Sequence, residues 1–151
     1  MKFYYLKRTL LFFAIGLVLS AFNSCGNKAV VKSDEPIIGK ADLKLDSDLM
    51  TPEVLWSFGR LDDVQVSPDQ KTVLYGVTYY SKELNKSNRE LFTLSLDGGT
   101  PKQITKTAKS EYNAVWSVDG SKIYFLYQGE NGNGLQIFSM NPDGTNRVQV
   151  S

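Results

Sequence analysis

The strongest constraint on this chain is an internal period. VQVSPDQKTVLY, residues 64–75, is answered fifty residues later by AVWSVDGSKIYF, residues 114–125. Each copy is an apolar run, a tight polar turn and a second apolar run. Asp69 and Asp119 sit where a side chain bonds its own backbone, and Pro68 and Gly120 supply the fixed and the permissive torsions of a turn. Val73, Leu74, Tyr75, Val77, Tyr79 and Tyr80, like Ile123, Tyr124, Phe125 and Tyr127, are largely the β-branched and aromatic residues that strands favour. The echo continues. LFTLSLDG (91–98) matches IFSMNPDG (137–144), and QIT (103–105) matches QVS (149–151), now at an offset of forty-six. The first copy therefore holds four extra residues in its middle hairpin, around SKELNKSNRE, which is expected to be a polar loop.

A unit of four strands recurring every 40–50 residues is the signature of a β-propeller blade. One such sheet cannot bury both faces, so neighbours must stack on it, and a closed array takes roughly four to eight. The expected fold is all-β: an incomplete β-propeller of two four-stranded antiparallel blades, residues 61–107 and 108–151, preceded by a short helix within 49–60. The chain ends in the fourth strand of the second copy and is read as stopping within an array. The helix is signalled by MTPEVLWSFGR. Thr51 can cap, Pro52 suits the first helical position, Glu53 suits the positive end, and Gly59 can stop it. About two turns are expected, with Val54, Leu55 and Phe58 on one apolar face.

The first 24 residues are read as an export signal. Lys2, Lys7 and Arg8 precede an apolar run from Leu10 to Leu19, too short to span a bilayer as a helix. Ser24-Cys25-Gly26-Asn27 resembles a bacterial lipobox, and Cys25, the only cysteine, lies where such a signal needs it. Lipidation at Cys25 would tether the chain through its acyl chains. Residues 25–48, polar and mixed in charge, are expected to be a tether with a short strand near Ala41–Leu45. The expected location is exported: periplasmic, or anchored in the outer membrane as a lipoprotein.

Composition excludes much chemistry. The chain has no histidine, so it cannot hold a Ser-His-Asp or Cys-His constellation or an imidazole metal site. A net charge of +1 gives no field for nucleic acid. No catalytic residue, cofactor site or metal site is assigned. Weaker signals have structural readings: Gly129-Glu130-Asn131-Gly132-Asn133-Gly134 as a hairpin loop, Asp62-Asp63, Asp97 and Asp143 as turn formers, and Tyr112, Trp116 and Tyr127 as blade packing.

The SPDG-like turn and closing DG turn resemble the PD40 repeat of TolB-like proteins and of prolyl oligopeptidase-family (S9) serine peptidases. The order of MTPEVLWSFGRLDDVQVSPDQKTVLYGVTYY, LFTLSLDGGTPKQIT and EYNAVWSVDGSKIYF resembles the start of bacterial members of the dipeptidyl or acylaminoacyl peptidase type. The resemblance covers roughly residues 42–151. It implies a propeller that gates short peptides into a C-terminal α/β-hydrolase domain. The family nucleophile stands in G-x-S-x-G, which this chain lacks, so it is expected to be inactive alone. The implied partners are the remaining blades, the hydrolase domain, peptide substrates and, through Cys25, the membrane. A non-enzymatic TolB-like lipoprotein of periplasmic binding or assembly is the alternative, and a two-blade lipoprotein dimerising through its edges is a third.

Overall fold

The structure, a computed structural model, describes residues 35–45, 47–129 and 134–151. The proposed signal at 1–24, Cys25, and residues 130–133 of the 129–134 loop reading lie outside the described residues. Strands β1 (Arg60–Val66), β2 (Thr72–Ser81), β3 (Lys86–Ser95) and β4 (Lys102–Gln103) form one antiparallel sheet in chain order. Strands β5 (Glu111–Trp116), β6 (Ile123–Tyr127), β7 (Gln136–Met140) and β8 (Val148–Gln149) form a second with the same order. The two units found by sequence period are thus two sheets, blade 1 and blade 2.

The repeat extends to atoms. Ser67 N–H donates to Thr72 O and Ser117 N–H to Lys122 O, both at 2.8 Å. In each turn the serine Oγ accepts from the backbone five residues on, at 2.9 Å, and donates to the aspartate, Asp69 or Asp119. These bonds favour the carboxylate form, and Asp119 is held down to about 2, chiefly by Ser117. Tyr75 stacks on its cross-strand partner Phe92, and Phe125 on Phe138, with ring centroids 5.8 and 6.0 Å apart. The fourth strands end after two residues in both blades. There a hydroxyl replaces the backbone acceptor: Thr105 Oγ1 takes the Leu91 N–H at 2.8 Å, and Ser151 Oγ the Ile137 N–H at 3.1 Å.

The sheets pack face to face. Leu74, Leu91 and Ile104 of blade 1 join Ala114, Ile123, Phe125, Tyr127 and Met140 of blade 2 in one core. Leu74 and Leu91 are fully buried. Their repeat equivalents in blade 2, Tyr124 and Ile137, are 36% and 42% exposed. Blade 2 therefore shows an open face, with Tyr112 beside them, of the kind that blade 2 itself covers on blade 1.

Three expectations are corrected. Residues 41–45 form no strand, and they are exposed; no sheet edge pairs with them. The four extra residues of blade 1 do not make a loop. They lengthen β2 and β3 to ten residues each, against five in β6 and β7, and the turn spans only 82–85. The helix α1 (Pro52–Ser57) has close to the expected length, and Thr51 caps it by accepting from Val54 N–H at 3.3 Å, but its packing differs. It stops before Gly59, and its supposed apolar face is not buried, Leu55 and Phe58 being half exposed. What holds it is the long hairpin: Trp56 meets Tyr80 edge-on at 5.2 Å, Arg60 lies over both rings at 5.1 Å, and Glu53 pairs with Lys82 at 2.7 Å. No helix among the described residues is long and apolar enough to cross a membrane.

Candidate functional site at the blade junction

The densest constellation of charge lies between the blades, and it begins with two bulges. The β1–β2 register shifts between Asp62 and Gln65, and the β5–β6 register between Tyr112 and Val115. Asp63 and Asn113 take the left-handed conformation there, each with φ near 50°, which their short polar side chains tolerate. Consecutive strand residues ordinarily point to opposite faces. The bulge lets Asp62 and Asp63 reach one guanidinium. Arg89, on β3, donates through Nε (2.8 Å) and Nη2 (2.5 Å) to Asp62 Oδ1, and through Nη2 to Asp63 Oδ2 (2.8 Å). Its third nitrogen, Nη1, crosses to blade 2 and donates to Glu111 O at 2.9 Å. Arg89 is buried, while the two aspartates are half exposed. The guanidinium lies against Gly76 of β2, where a Cβ would overlap it. Sequence reading assigned Asp62 and Asp63 to a turn. They stand in β1 as the counter-charges of a buried arginine.

Two carboxyls lie deeper, and sequence reading missed both. Glu90 and Glu111 are fully buried. Glu90 accepts from Asn88 Nδ2 (2.8 Å), Thr107 N–H (2.9 Å) and Thr105 Oγ1 (2.7 Å). Glu111 Oε1 lies 2.9 Å from Thr107 Oγ1 and accepts from Arg147 Nη1 at 2.8 Å, whereas its Oε2 has no hydrogen-bond partner among the described residues. Thr107 thus touches both acids. Arg147 comes from the β7–β8 connection and lies over Tyr127 at 3.9 Å, Phe125 at 4.8 Å and Phe138 at 5.4 Å. Burial, and then the charge of Glu111, push Glu90 up to about 7. Burial raises Glu111 as well, opposed by Arg147. The signal that could have found them is a glutamate inside an apolar strand pattern, as in NRELF and SEYNAV. The repeat puts glutamine, Gln136, at the place of Glu90.

This arrangement can pin two sheets together and hold or release a proton. Among the described residues no three His, Cys, Asp or Glu side chains gather as a metal site. A second feature, a surface cavity of about 340 Å³, is lined by Trp56, Tyr80, Lys82, Asn85 and Lys86 at the hairpin tip; Lys82 and Lys86 are already paired, with Glu53 and Glu35.

Comparison with known proteins decides the kinship. Over 88 residues the chain is 42% identical to dipeptidyl-peptidase 5 of Porphyromonas gingivalis, covering 58% of this chain and 13% of that protein. Over 107 residues it is 35% identical to dipeptidyl-peptidase 5 of Porphyromonas endodontalis, covering 70% and 15%. The chain is homologous to dipeptidyl-peptidase 5, an S9-family peptidase. It spans about one seventh of the length of these dipeptidyl-peptidase 5 relatives. No family model matches it. Among solved structures, the Pyrococcus horikoshii acylaminoacyl peptidase shares its fold with a TM-score of 0.52 and 24% identity, over 64% of this chain and 14% of that one. The β-propeller domain of the Trilobed protease from Pyrococcus furiosus gives a TM-score of 0.50 at 18% identity, over 62% and 28%. The two sheets share the fold of the β-propeller blades in these structures.

Within this dipeptidyl-peptidase 5 homologue the three aromatic residues singled out by sequence divide. Tyr127 belongs to the core between the blades and Trp116 packs against it, while Tyr112 is 43% exposed on the open face. Asp97 and Asp143 stand in turns, as read from sequence.

Proposed function

We propose that this chain is the blade 1–blade 2 portion of an exported serine peptidase that releases dipeptides, and that these blades form part of the wall through which short peptides reach a hydrolase domain. The 42% identity to dipeptidyl-peptidase 5 carries this reading. The open face of blade 2 supports further blades as its partners, because its residues repeat those that blade 1 buries. Without histidine, the chain lacks the imidazole base of a Ser-His-Asp site, and on this reading it does not hydrolyse peptides by itself. The export signal and a lipid on Cys25 belong to the same proposal.

Reading the gene beyond codon 151 tests the first part. Further blades followed by G-x-S-x-G, Asp and His are the expected result, with dipeptide release by that longer product and none by the 151-residue chain. Release by the isolated chain would overturn the assignment. Labelling with radioactive palmitate, lost in Cys25→Ala, tests the anchor; label retained in that variant refutes it.

A further inference from the structure

Among the described residues the blade junction holds two buried acids, Glu90 and Glu111, and one cation that touches a carboxylate of the pair, that of Glu111. Arg147 is that cation. Arg89, the other nearby arginine, spends its guanidinium on Asp62, Asp63 and a backbone carbonyl, so it neutralises neither glutamate. On the linker between β4 and β5, Lys106 is exposed and Lys109 Nζ faces Gly129 O at 3.4 Å. From β6, the Tyr127 ring packs beneath Arg147. With both glutamates ionised, the buried cluster would carry one uncompensated negative charge, which a low-dielectric site resists strongly. Hydrogen bonding points the same way. Thr107 has one hydroxyl proton and faces two acceptors, Lys109 O at 2.5 Å and Glu111 Oε1 at 2.9 Å. One proton shared between two acceptors makes at best a weak three-centre bond; each contact is a full hydrogen bond when Glu111 is protonated and donates to Thr107 Oγ1, leaving the hydroxyl proton for Lys109 O.

We propose that Glu90 and Glu111 form a proton-linked latch between blades 1 and 2, sharing one proton in the closed junction and loosening the junction when that proton passes to solvent. The two acids titrate as a unit. Each is anchored on a different blade, Glu90 on β3 and Glu111 on β5, and Thr107 in the linker joins them. Losing the proton therefore sets two like charges against each other across the joint. The burial-driven rise of both carboxyls supports this direction. Blade 2 shows what removes the device without removing the fold, since it places Gln136 where blade 1 has Glu90. The inference does not rest on the peptidase reading.

The sign follows from linkage. A carboxyl that binds its proton more tightly folded than unfolded contributes stability that is complete below the ordinary carboxylate range, and loses it as pH rises towards about 7. Urea unfolding of the 151-residue chain between pH 5 and 8 should show the folding constant falling by up to about tenfold per pH unit in the steep part of this window, the slope for one proton. Glu90→Gln should flatten that slope. Infrared spectroscopy of the unmutated chain at pH 6 provides a readout independent of any variant: a buried carboxylic-acid C=O band that vanishes by pH 9 is expected. A stability that is flat or rising over this range, or the absence of the neutral-carboxyl band at pH 6, would overturn the latch.

Discussion

Replacing Gly76 by alanine should release Arg89 from the junction, and the size of the effect can be worked out beforehand. The added Cβ would overlap the guanidinium, meeting its Nη2, Cζ and Nε atoms. An arginine tip can ordinarily swing away at little cost. Here its side chain is only 4% exposed and its nitrogens make four hydrogen bonds, to Asp62, Asp63 and Glu111 O. Breaking one partner of a buried ion pair costs about 3–5 kcal/mol. Asp62 and Asp63 are half exposed and water can take them back, which lowers the figure. Alanine also suits a strand better than glycine by about 0.5–1 kcal/mol. A net loss of about 2–3 kcal/mol is expected, which at a urea slope of about 1–3 kcal/mol per molar moves the midpoint by roughly 0.7–3 M. The deciding assay is a double-mutant cycle. With Arg89 already replaced by alanine the overlap has gone, so Gly76→Ala should then be neutral or mildly stabilising. Equal costs of Gly76→Ala with and without Arg89 would refute the claim that the glycine exists to seat the guanidinium.

Two further outcomes follow from the repeat. Leu91→Ala, in the buried face of blade 1, should cost about 2–5 kcal/mol, while its equivalent Ile137→Ala on the open face of blade 2 should cost about 1 kcal/mol or less by urea unfolding. Gly98 and Gly144 share a left-handed backbone, but a Cβ at Gly144 would also run into the carbonyl of Ile104 in blade 1, whereas that at Gly98 meets open space. Thermal melting should therefore place Gly144→Ala below Gly98→Ala by several degrees, and a reversed order would show that the close approach of the two blades there is relaxed in solution.

The blades were legible in sequence because their determinants are local. A serine and an aspartate two residues apart are enough to bind the backbone of their own turn, and apolar residues in register mark a strand wherever it lies. The hairpin of blade 1 was misread for a related reason. SKELNKSNRE is polar, but the end of a long hairpin exposes most of its residues, so composition alone cannot separate it from a loop. The helix was found by its cap and misjudged in its packing, because Trp56 finds its partner Tyr80 on a strand twenty-four residues away.

From the sequence alone came the period, the turns, the two four-stranded units and the kinship with S9 peptidases. All of these rest on residues close together in the chain. Only the tertiary structure decided that Asp62 and Asp63 serve a buried arginine, that Glu90 and Glu111 meet across the junction, and that one face of blade 2 stands open. Those relations join residues of different strands and blades, so no local pattern can announce them. Burial sets the charge of the junction, and burial arises only when one sheet is laid on the other.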